Sequence, residues 1–276
     1  MTHRYAVIGN PVAHSKSPLI HAAFARATGA DLSYVALLAP LDGFARTVRA
    51  FFAAGGRGAN VTVPFKQQAF ELADEAGPCA QAARAANVLS MRGGRLVADN
   101  TDGIGLLRDL KANLGCAVQG RHVLLMGAGG ASWGVAGPLL EERPALFSVV
   151  NRTRDKAVAL AQHFAASGAG CTPEALAYEE LPGRRYDIVI NATSTGLHGT
   201  MPALPPDLFA PGALAYDMVY GRTTPFLQFA RLHGARVADG TGMLVEQAAE
   251  SFYLWRGVRP ETAPVIALLR GEAGAA

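Results

Sequence analysis

Short apolar segments alternate with longer helical segments along nearly the whole chain, and this alternation restricts the fold more than any other feature. The predicted strands lie at 5–9, 32–38, 58–63, 122–127, 146–151, 186–191, 213–218 and 235–240. The predicted helices lie at 17–29, 43–55, 135–143, 154–166 and 243–257. Strands that alternate with helices pair in parallel through right-handed crossovers, so the sequence predicts the α/β class.

The order of the segments indicates two α/β domains, for which 276 residues are sufficient. The segments 87–91 and 96–100 flank Arg-Gly-Gly-Arg and predict a hairpin, which would give the first domain a mixed sheet. We place the first domain at 1–103, completed by C-terminal helices at 241–276, and a second domain with a parallel sheet at 104–240.

The composition excludes several classes of protein. The net charge is only +3 and no run of Lys or Arg is longer than Arg184–Arg185, so nucleic acid is not an expected partner. No apolar run reaches the ~18 residues of a membrane-spanning helix. The three cysteines and seven histidines lack metal-ligand spacing, which favours free thiols, a reducing compartment and no metal. We expect a cytoplasmic monomer or homodimer that acts on a small molecule.

A glycine-rich turn follows the strand at 122–127. Gly127, Gly129 and Gly130 would let backbone N–H groups at a helix N-terminus approach a pyrophosphate. Ser132 stands where the dinucleotide-binding pattern has its third glycine, so a merely tight strand–helix turn is the alternative.

The next strand ends in the segment Asn151-Arg152-Thr153-Arg154, near the position that reads the adenine ribose in dinucleotide-binding folds. Two guanidinium groups without a carboxylate suit the 2′-phosphate of NADP better than the ribose hydroxyls of NAD. The alternative is a solvated helix start with Thr153 as its N-cap.

Lys66 stands in an unfavourable position. The segment Asn-Val-Thr-Val-Pro-Phe-Lys ends a strand, and Pro64 suits the first position of a helix, which places Lys66 in the first helical turn. A cation there costs about 0.3–1 kcal/mol against the helix dipole. The chain has only four lysines beside 21 arginines, and lysine can release a proton whereas arginine cannot. Lys66 therefore points to proton chemistry.

Polar residues collect in the predicted loops of the first domain. They are Ser15, Ser17, Asn60, Thr62, Asn87, Asn100, Thr101 and Asp102. Each alone has an ordinary explanation, such as Ser17 as a helix N-cap and Asn87 as a turn residue. Together with Lys66 they form a lining rich in hydroxyl and amide groups, which suits a polyhydroxylated acid.

Eight motifs occur in the order found in shikimate dehydrogenases, and the chain resembles that family from about residue 5 to residue 257. The motifs are NPVAHSKSP, NVTVPFK, DNTDG, GAGGAS, NRT, NATS, DMVY and GTGMLVEQA. The resemblance implies reduction of 3-dehydroshikimate to shikimate with NADPH, in aromatic amino-acid biosynthesis. It also implies an N-terminal substrate domain, a Rossmann-like NADP domain and a C-terminal helix that returns to the first domain.

The resemblance also implies roles for individual residues. Lys66 and Asp102 correspond to the catalytic pair, and either proton transfer or oxyanion stabilisation by Lys66 stays open. The implied substrate contacts are Ser15, Ser17, Asn60, Thr62, Asn87, Thr101, Tyr220 and Gln247. The implied NADP contacts are Gly127, Ala128, Gly129, Gly130, Ala131, Asn151, Arg152, Thr153, Arg154, Thr193, Gly240 and Met243. The chain departs from the family pattern at Trp133, where arginine is common, and at Arg84 and Val88 beside Asn87.

Two other functions stay open. A dehydrogenase of the same class could accept quinate or NAD, although Arg152 with Arg154 argues against NAD and Ser17 favours shikimate. A non-catalytic sensor of NADP or of a pathway acid is the alternative from another class. The intact Lys66–Asp102 pair argues against such a sensor.

Overall fold

The structure is a computed structural model that describes residues 2–166, 171–193, 195 and 199–273, without the side chains of 272 and 273. Ser194 of the NATS motif lies outside the described residues. The chain divides into two compact units. The first unit comprises Met1–Gly105 and Val245–Ala267, and the second comprises Leu106–Leu244 and Leu268–Ala276.

The first unit contains a mixed sheet, as predicted. Its strands are β1 (His3–Gly9), β2 (Leu32–Leu38), β3 (Gly56–Val61), β4 (Glu75–Ala76), β5 (Val88–Arg92) and β6 (Arg95–Asp99), in the order β2-β1-β3-β5-β6-β4. β1 pairs in parallel with β2 and β3, whereas β5 pairs antiparallel with β3 and β6. Gly93 and Gly94 close the β5–β6 hairpin with φ angles of 57° and 80°, which glycine adopts without steric cost.

Helices cover the two faces of this sheet. They are α1 (Ser17–Thr28), α2 (Phe44–Ala53), α3 (Lys66–Leu72), α4 (Pro78–Ala83) and, from Val245 onward, α9 (Thr241–Arg256). On one face Phe44 of α2 stacks on Phe65 with ring centroids 4.7 Å apart. On the other, Trp255 of α9 stacks on Tyr5 of β1 at 4.9 Å. Because neighbouring residues of a strand face opposite sides, β1 contributes to both cores.

The second unit contains an all-parallel sheet, which confirms the predicted fold class. Its strands are β7 (His122–Met126), β8 (Leu146–Val150), β9 (Glu174–Leu176), β10 (Tyr186–Asn191), β11 (Phe209–Asp217) and β12 (Arg236–Asp239). Their order is β12-β11-β10-β7-β8-β9. Val123 and Leu125 of β7 join one apolar cluster, and Leu124 and Met126 join another, so the sheet is covered on both faces.

Three further helices belong entirely to the second unit, namely α6 (Gly130–Glu141), α7 (Arg154–Ala165) and α8 (Pro225–Leu232). Two others, α5 (Asp102–Arg108) and α10 (Ala263–Ala273), have residues assigned to both units. A π-helical turn, Asp109–Asn113, follows α5, and the Leu114 N–H donates to the Asp109 carbonyl at 3.0 Å. In the described ranges, no helix has both the length and the apolar character that crossing a membrane requires.

Three predicted helix starts differ from the structure. α6 begins at Gly130 rather than at 135, because the glycine-rich turn itself supplies the first helical turn. α3 begins at Lys66, since Pro64 lies in a turn closed by the Phe65 N–H and the Thr62 carbonyl at 3.1 Å. Ser17 is not an N-cap, because Lys16 holds that position and makes no side-chain capping bond.

Candidate functional site

Lys66 and Asp102 form an ion pair within the first unit. The Lys66 Nζ lies 2.5 Å from Oδ2 of Asp102. The Lys66 side chain is 20% exposed and the Asp102 side chain 6% exposed, so water screens their attraction less than at an open surface. Lys66 lies in the first turn of α3, as predicted, and the attraction of the carboxylate offsets the unfavourable helix dipole there.

Asn87 holds the other oxygen of the Asp102 carboxylate. Its Nδ2 donates to Oδ1 of Asp102 at 2.8 Å and to Oε1 of Gln247 at 3.2 Å. Its Oδ1 accepts the backbone N–H of Thr101 at 2.8 Å. Asn87 is buried, and its bonds use both ends of the amide. The orientation of the Asp102 carboxylate is therefore fixed from both sides.

Asn100 and Asn60 extend this network. Asn100 Oδ1 accepts the backbone N–H of Asp102 at 3.0 Å, which forms an Asx turn at the start of α5. Asn60 Nδ2 donates to the Asn87 carbonyl at 3.2 Å and to Ser251 Oγ at 2.9 Å. The structure thus brings together Lys66, Asp102, Asn87, Thr101, Gln247 and Asn60 among the sequence-predicted residues.

Ser15 and Ser17 lie beside each other at the start of α1. The Ser17 N–H donates to Ser15 Oγ at 3.3 Å, and the Ser17 side chain is buried. Thr62 follows β3, and its N–H donates to the Ile8 carbonyl at 2.9 Å. Tyr220 belongs to the second unit, in the loop after β11.

The glycine-rich turn lies at the point where the strand order of the parallel sheet reverses. β7 lies between β8 and β10, and open α/β sheets bind ligands at the carboxyl ends of such strands. Gly127 has a φ of 106°, and a Cβ there would lie 3.2 Å from Cγ2 of Thr193, which follows β10. A Cβ on Gly129 or Gly130 would meet no atom within 4 Å. An open turn at the start of α6 fits a pyrophosphate, and Ala128 and Ala131 belong to the same segment.

The segment after β8 carries the two predicted arginines. Asn151 Nδ2 donates to the Thr153 carbonyl at 2.8 Å, which holds the turn before α7. Arg154 lies 3.5 Å from Glu180, measured from Nε to Oε2. Arg152 is exposed and makes no ion pair with any residue in the described ranges. Arg152 is therefore the better placed of the two for a 2′-phosphate.

Trp133 packs against α7. Its ring centroid lies 5.0 Å from that of His163 and 6.0 Å from that of Phe164. The residue that replaces the arginine common in the family thus adds to the contact between α6 and α7.

Asn191 and Asp217 organise the carboxyl ends of β10 and β11, and sequence reasoning assigned neither a role. Asn191 Oδ1 accepts the Thr193 hydroxyl at 2.7 Å, and its Nδ2 donates to Asp217 at 3.1 Å. Burial raises the pKa of Asp217, although Thr224 donates to it at 2.5 Å. The sequence could have indicated a role for both, because Asn191 begins the motif NATS and Asp217 begins the motif DMVY.

Gly240 and Met243 lie around the start of α9. A Cβ on Gly240 would lie 2.3 Å from the Met218 carbonyl oxygen, so only glycine fits between β12 and the loop after β11. Met243 is buried in the core of the second unit. Among the described residues, no group of three His, Cys, Asp or Glu side chains is arranged to hold a metal ion.

Three family models match the chain. They are the shikimate dehydrogenase substrate binding domain at residues 7–89, shikimate / quinate 5-dehydrogenase at 109–198 and the shikimate 5'-dehydrogenase C-terminal domain at 240–270. The chain is similar to the shikimate dehydrogenase (NADP(+)) of Nitrosospira multiformis, with 58% identity over 276 residues and 99% of each chain covered.

Two solved structures illustrate the similarity in fold. An Ael1 enzyme from Pseudomonas putida has a TM-score of 0.91 and 50% identity, over 97% of this chain and 98% of that one. The shikimate 5-dehydrogenase from Thermus thermophilus, solved in complex with NADP(H) and shikimate, has a TM-score of 0.85 and 36% identity. That match covers 99% of this chain and 100% of the other.

Proposed function

Because the chain belongs to the shikimate dehydrogenase family, we propose that it catalyses the reversible, NADPH-dependent reduction of 3-dehydroshikimate to shikimate. The reaction belongs to aromatic amino-acid biosynthesis, and the cofactor is NADP. At the level of residues, one observation carries the proposal. This is the Lys66–Asp102 ion pair, which Asn87 orients and which is largely shielded from water.

Lys66 is assigned to the ketone oxygen of the substrate. Reduction builds negative charge on that oxygen, and a positioned acid has to supply a proton. Bound NADPH supplies the hydride. The Lys66 ammonium group has three donors, of which Asp102 takes one, so donors are left for the ketone oxygen. Asp102 holds the amine in place and keeps its positive charge close to the developing oxyanion.

The polar residues that match the substrate contacts of the family are assigned to the hydroxyls and the carboxylate of the substrate. They are Ser15, Ser17, Asn60, Thr62, Asn87, Thr101, Tyr220 and Gln247. The open glycine-rich turn at Gly127–Ala131 is assigned to the pyrophosphate of NADP, and Arg152 to its 2′-phosphate. Thr193, Gly240 and Met243 complete the assigned cofactor residues.

These assignments make the first unit the substrate-binding domain and the second the NADP-binding domain, which the family match at residues 7–89 supports. We also propose a cytoplasmic enzyme that is a monomer or a homodimer. Cys79, Cys116 and Cys171, all among the described residues, form no disulfide, which suits a reducing compartment. The molar mass measured by light scattering, as the protein elutes from a size-exclusion column, distinguishes the monomer from the homodimer.

The activity is tested by following NADPH formation from NADP and shikimate at alkaline pH. Quinate in place of shikimate, and NAD in place of NADP, serve as competing reactants. We expect the kcat/KM for shikimate with NADP to exceed that for either replacement at least about tenfold, which corresponds to roughly 1.4 kcal/mol of transition-state stabilisation. NADP binding without turnover of either acid would contradict the proposal and favour a sensor.

A further inference from the structure

Tyr34 of β2 connects two residues that the proposed function assigns to the substrate. Its hydroxyl donates to Oδ1 of Asn60 at 2.7 Å. The Ser17 side chain is close enough to Tyr34 to offset part of the rise that burial causes in the pKa of the Tyr34 hydroxyl. Burial raises the pKa of Tyr34 well above its usual value, so its hydroxyl stays a donor at any physiological pH.

The bond from Tyr34 is one of three that fix which way the Asn60 amide faces. Asn60 Nδ2 already donates to Ser251 Oγ at 2.9 Å and to the Asn87 carbonyl at 3.2 Å. With both N–H groups in use, the remaining capacity of this amide is a lone pair on Oδ1. Asn60 therefore meets a ligand as an acceptor and recognises a hydroxyl hydrogen.

His21 of α1 supports the Tyr34 ring from behind. The two rings are parallel within 5°, with centroids 4.1 Å apart. Burial lowers the pKa of His21 to about 3, although the nearby Asn60 side chain offsets part of the effect. In the described part of the chain, neither ring nitrogen of His21 is hydrogen-bonded. A neutral, flat ring in contact with the phenol restricts its rotation without competing for its hydroxyl.

We propose that Tyr34 is a positioning residue for substrate binding, which acts through Asn60 by holding its amide oxygen towards a ring hydroxyl of the substrate. The inference rests on the proposed function, because Asn60 is a substrate contact only under that assignment. Without the phenol hydroxyl, the amide oxygen loses its donor and only the two Nδ2 bonds hold the amide. The oxygen is then held less firmly towards the substrate hydroxyl.

The test is a double-mutant cycle on Tyr34 and Asn60. Tyr34→Phe removes one oxygen atom and keeps the ring stack on His21. We expect it to raise the KM for shikimate about tenfold, to change kcat less than about twofold and to leave the KM for NADP unaltered, as for lost ground-state binding. In an Asn60→Ala background, Tyr34→Phe should alter the KM for shikimate less than about twofold, because the amide oxygen that Tyr34 positions is absent. Asn60→Ser replaces Asn60→Ala if the latter does not fold.

Tyr186→Phe is the matched control. It also removes a buried hydroxyl, which donates to Ser148 Oγ at 3.0 Å in the second unit. It should leave the KM for shikimate unaltered. The role of Tyr34 would be overturned if Tyr34→Phe changed the KM for shikimate equally in both Asn60 backgrounds, or if Tyr186→Phe changed it as much. The proposed function would stand in either case, because the parent still turns over shikimate. A parent without shikimate turnover would refute the proposed function and this inference with it.

Discussion

A Cβ atom on Gly242 would lie 1.9 Å from Oδ1 of Asp109, so the carboxylate occupies the space that any other residue would need. Asp109 is fully buried in the second unit and accepts the Tyr216 hydroxyl at 2.6 Å and the Asn113 amide at 3.0 Å. Its negative charge lies beside the first turn of α9, at the positive end of the helix dipole. The contact holds the turn that carries Met243.

Gly242→Ala should destabilise the protein by about 1–3 kcal/mol, because the new methyl group overpacks a fixed carboxylate. Gly271→Ala is the control, since a Cβ there meets no atom within 4 Å, and alanine should be neutral or stabilising by about 0.5–1 kcal/mol. Urea unfolding monitored by circular dichroism measures both changes. Equal stability of the two variants would show that Asp109 moves away at little cost.

Lys66→Ala should lower kcat by roughly 10²–10⁴-fold, the usual loss for a general acid, with little change in NADP affinity or stability. Lys66→Arg keeps the charge without a transferable proton, so its activity separates electrostatic holding from proton transfer. Asp102→Asn should also lose rate, and the double variant should lose much less than the product of the single losses. If the losses in kcat of the two single variants, measured by steady-state kinetics, multiply in the double variant, Lys66 and Asp102 do not act as a pair.

Arg152→Ala should weaken the binding of NADP much more than the binding of NAD, because only NADP carries the 2′-phosphate. Arg154→Ala is the matched variant, and it should have the smaller effect since Arg154 already pairs with Glu180. The ratio of kcat/KM for the two cofactors measures the preference. The same ratio in the parent and in Arg152→Ala would remove Arg152 from cofactor selection.

His21 should make stability depend on pH. Its pKa falls from 6.5 to about 3 on folding, so the unfolded chain takes up the proton first. Stability that is present above pH 6.5 is therefore lost as the pH falls from 6.5 towards 3, with a slope of up to about 1.4 kcal/mol per pH unit. His21→Phe keeps a ring beside Tyr34 and should flatten this slope in urea unfolding between about pH 7 and about pH 5. The exposed His122, changed to Gln, should leave the slope as it is. A parallel pH dependence in parent and His21→Phe would contradict the burial of a neutral imidazole.

The strands were predicted best where apolar residues are dense. The predicted segments at 32–38 and 186–191 coincide with β2 and β10. β4 and β9 were missed because two or three residues are too few to display an alternating pattern. α8 was missed although its signals are present, since Thr224 caps it by accepting from the Leu227 N–H and Pro225 opens it.

The site was predictable only in part. The position of Lys66 in the first turn of α3 follows from local patterns, and the structure confirms it. The bond from Asn87 to Gln247 and that from Tyr34 to Asn60 join residues far apart in the chain. Such contacts depend on tertiary packing, which local periodicity does not encode.

The π-helical turn at Asp109–Asn113 restricts how many residues this part of the chain can have. A π turn holds one residue more than the α-helical turn it replaces. A relative shorter by one residue there would carry its acid about 100° further round the helix, away from the position of Gly242. Relatives with a residue other than glycine at the position of Gly242 should therefore either lack one residue in the π-helical turn or lack the acid at the position of Asp109. An alignment of related sequences would display this as covariation between a gap and a glycine that lie far apart in the chain.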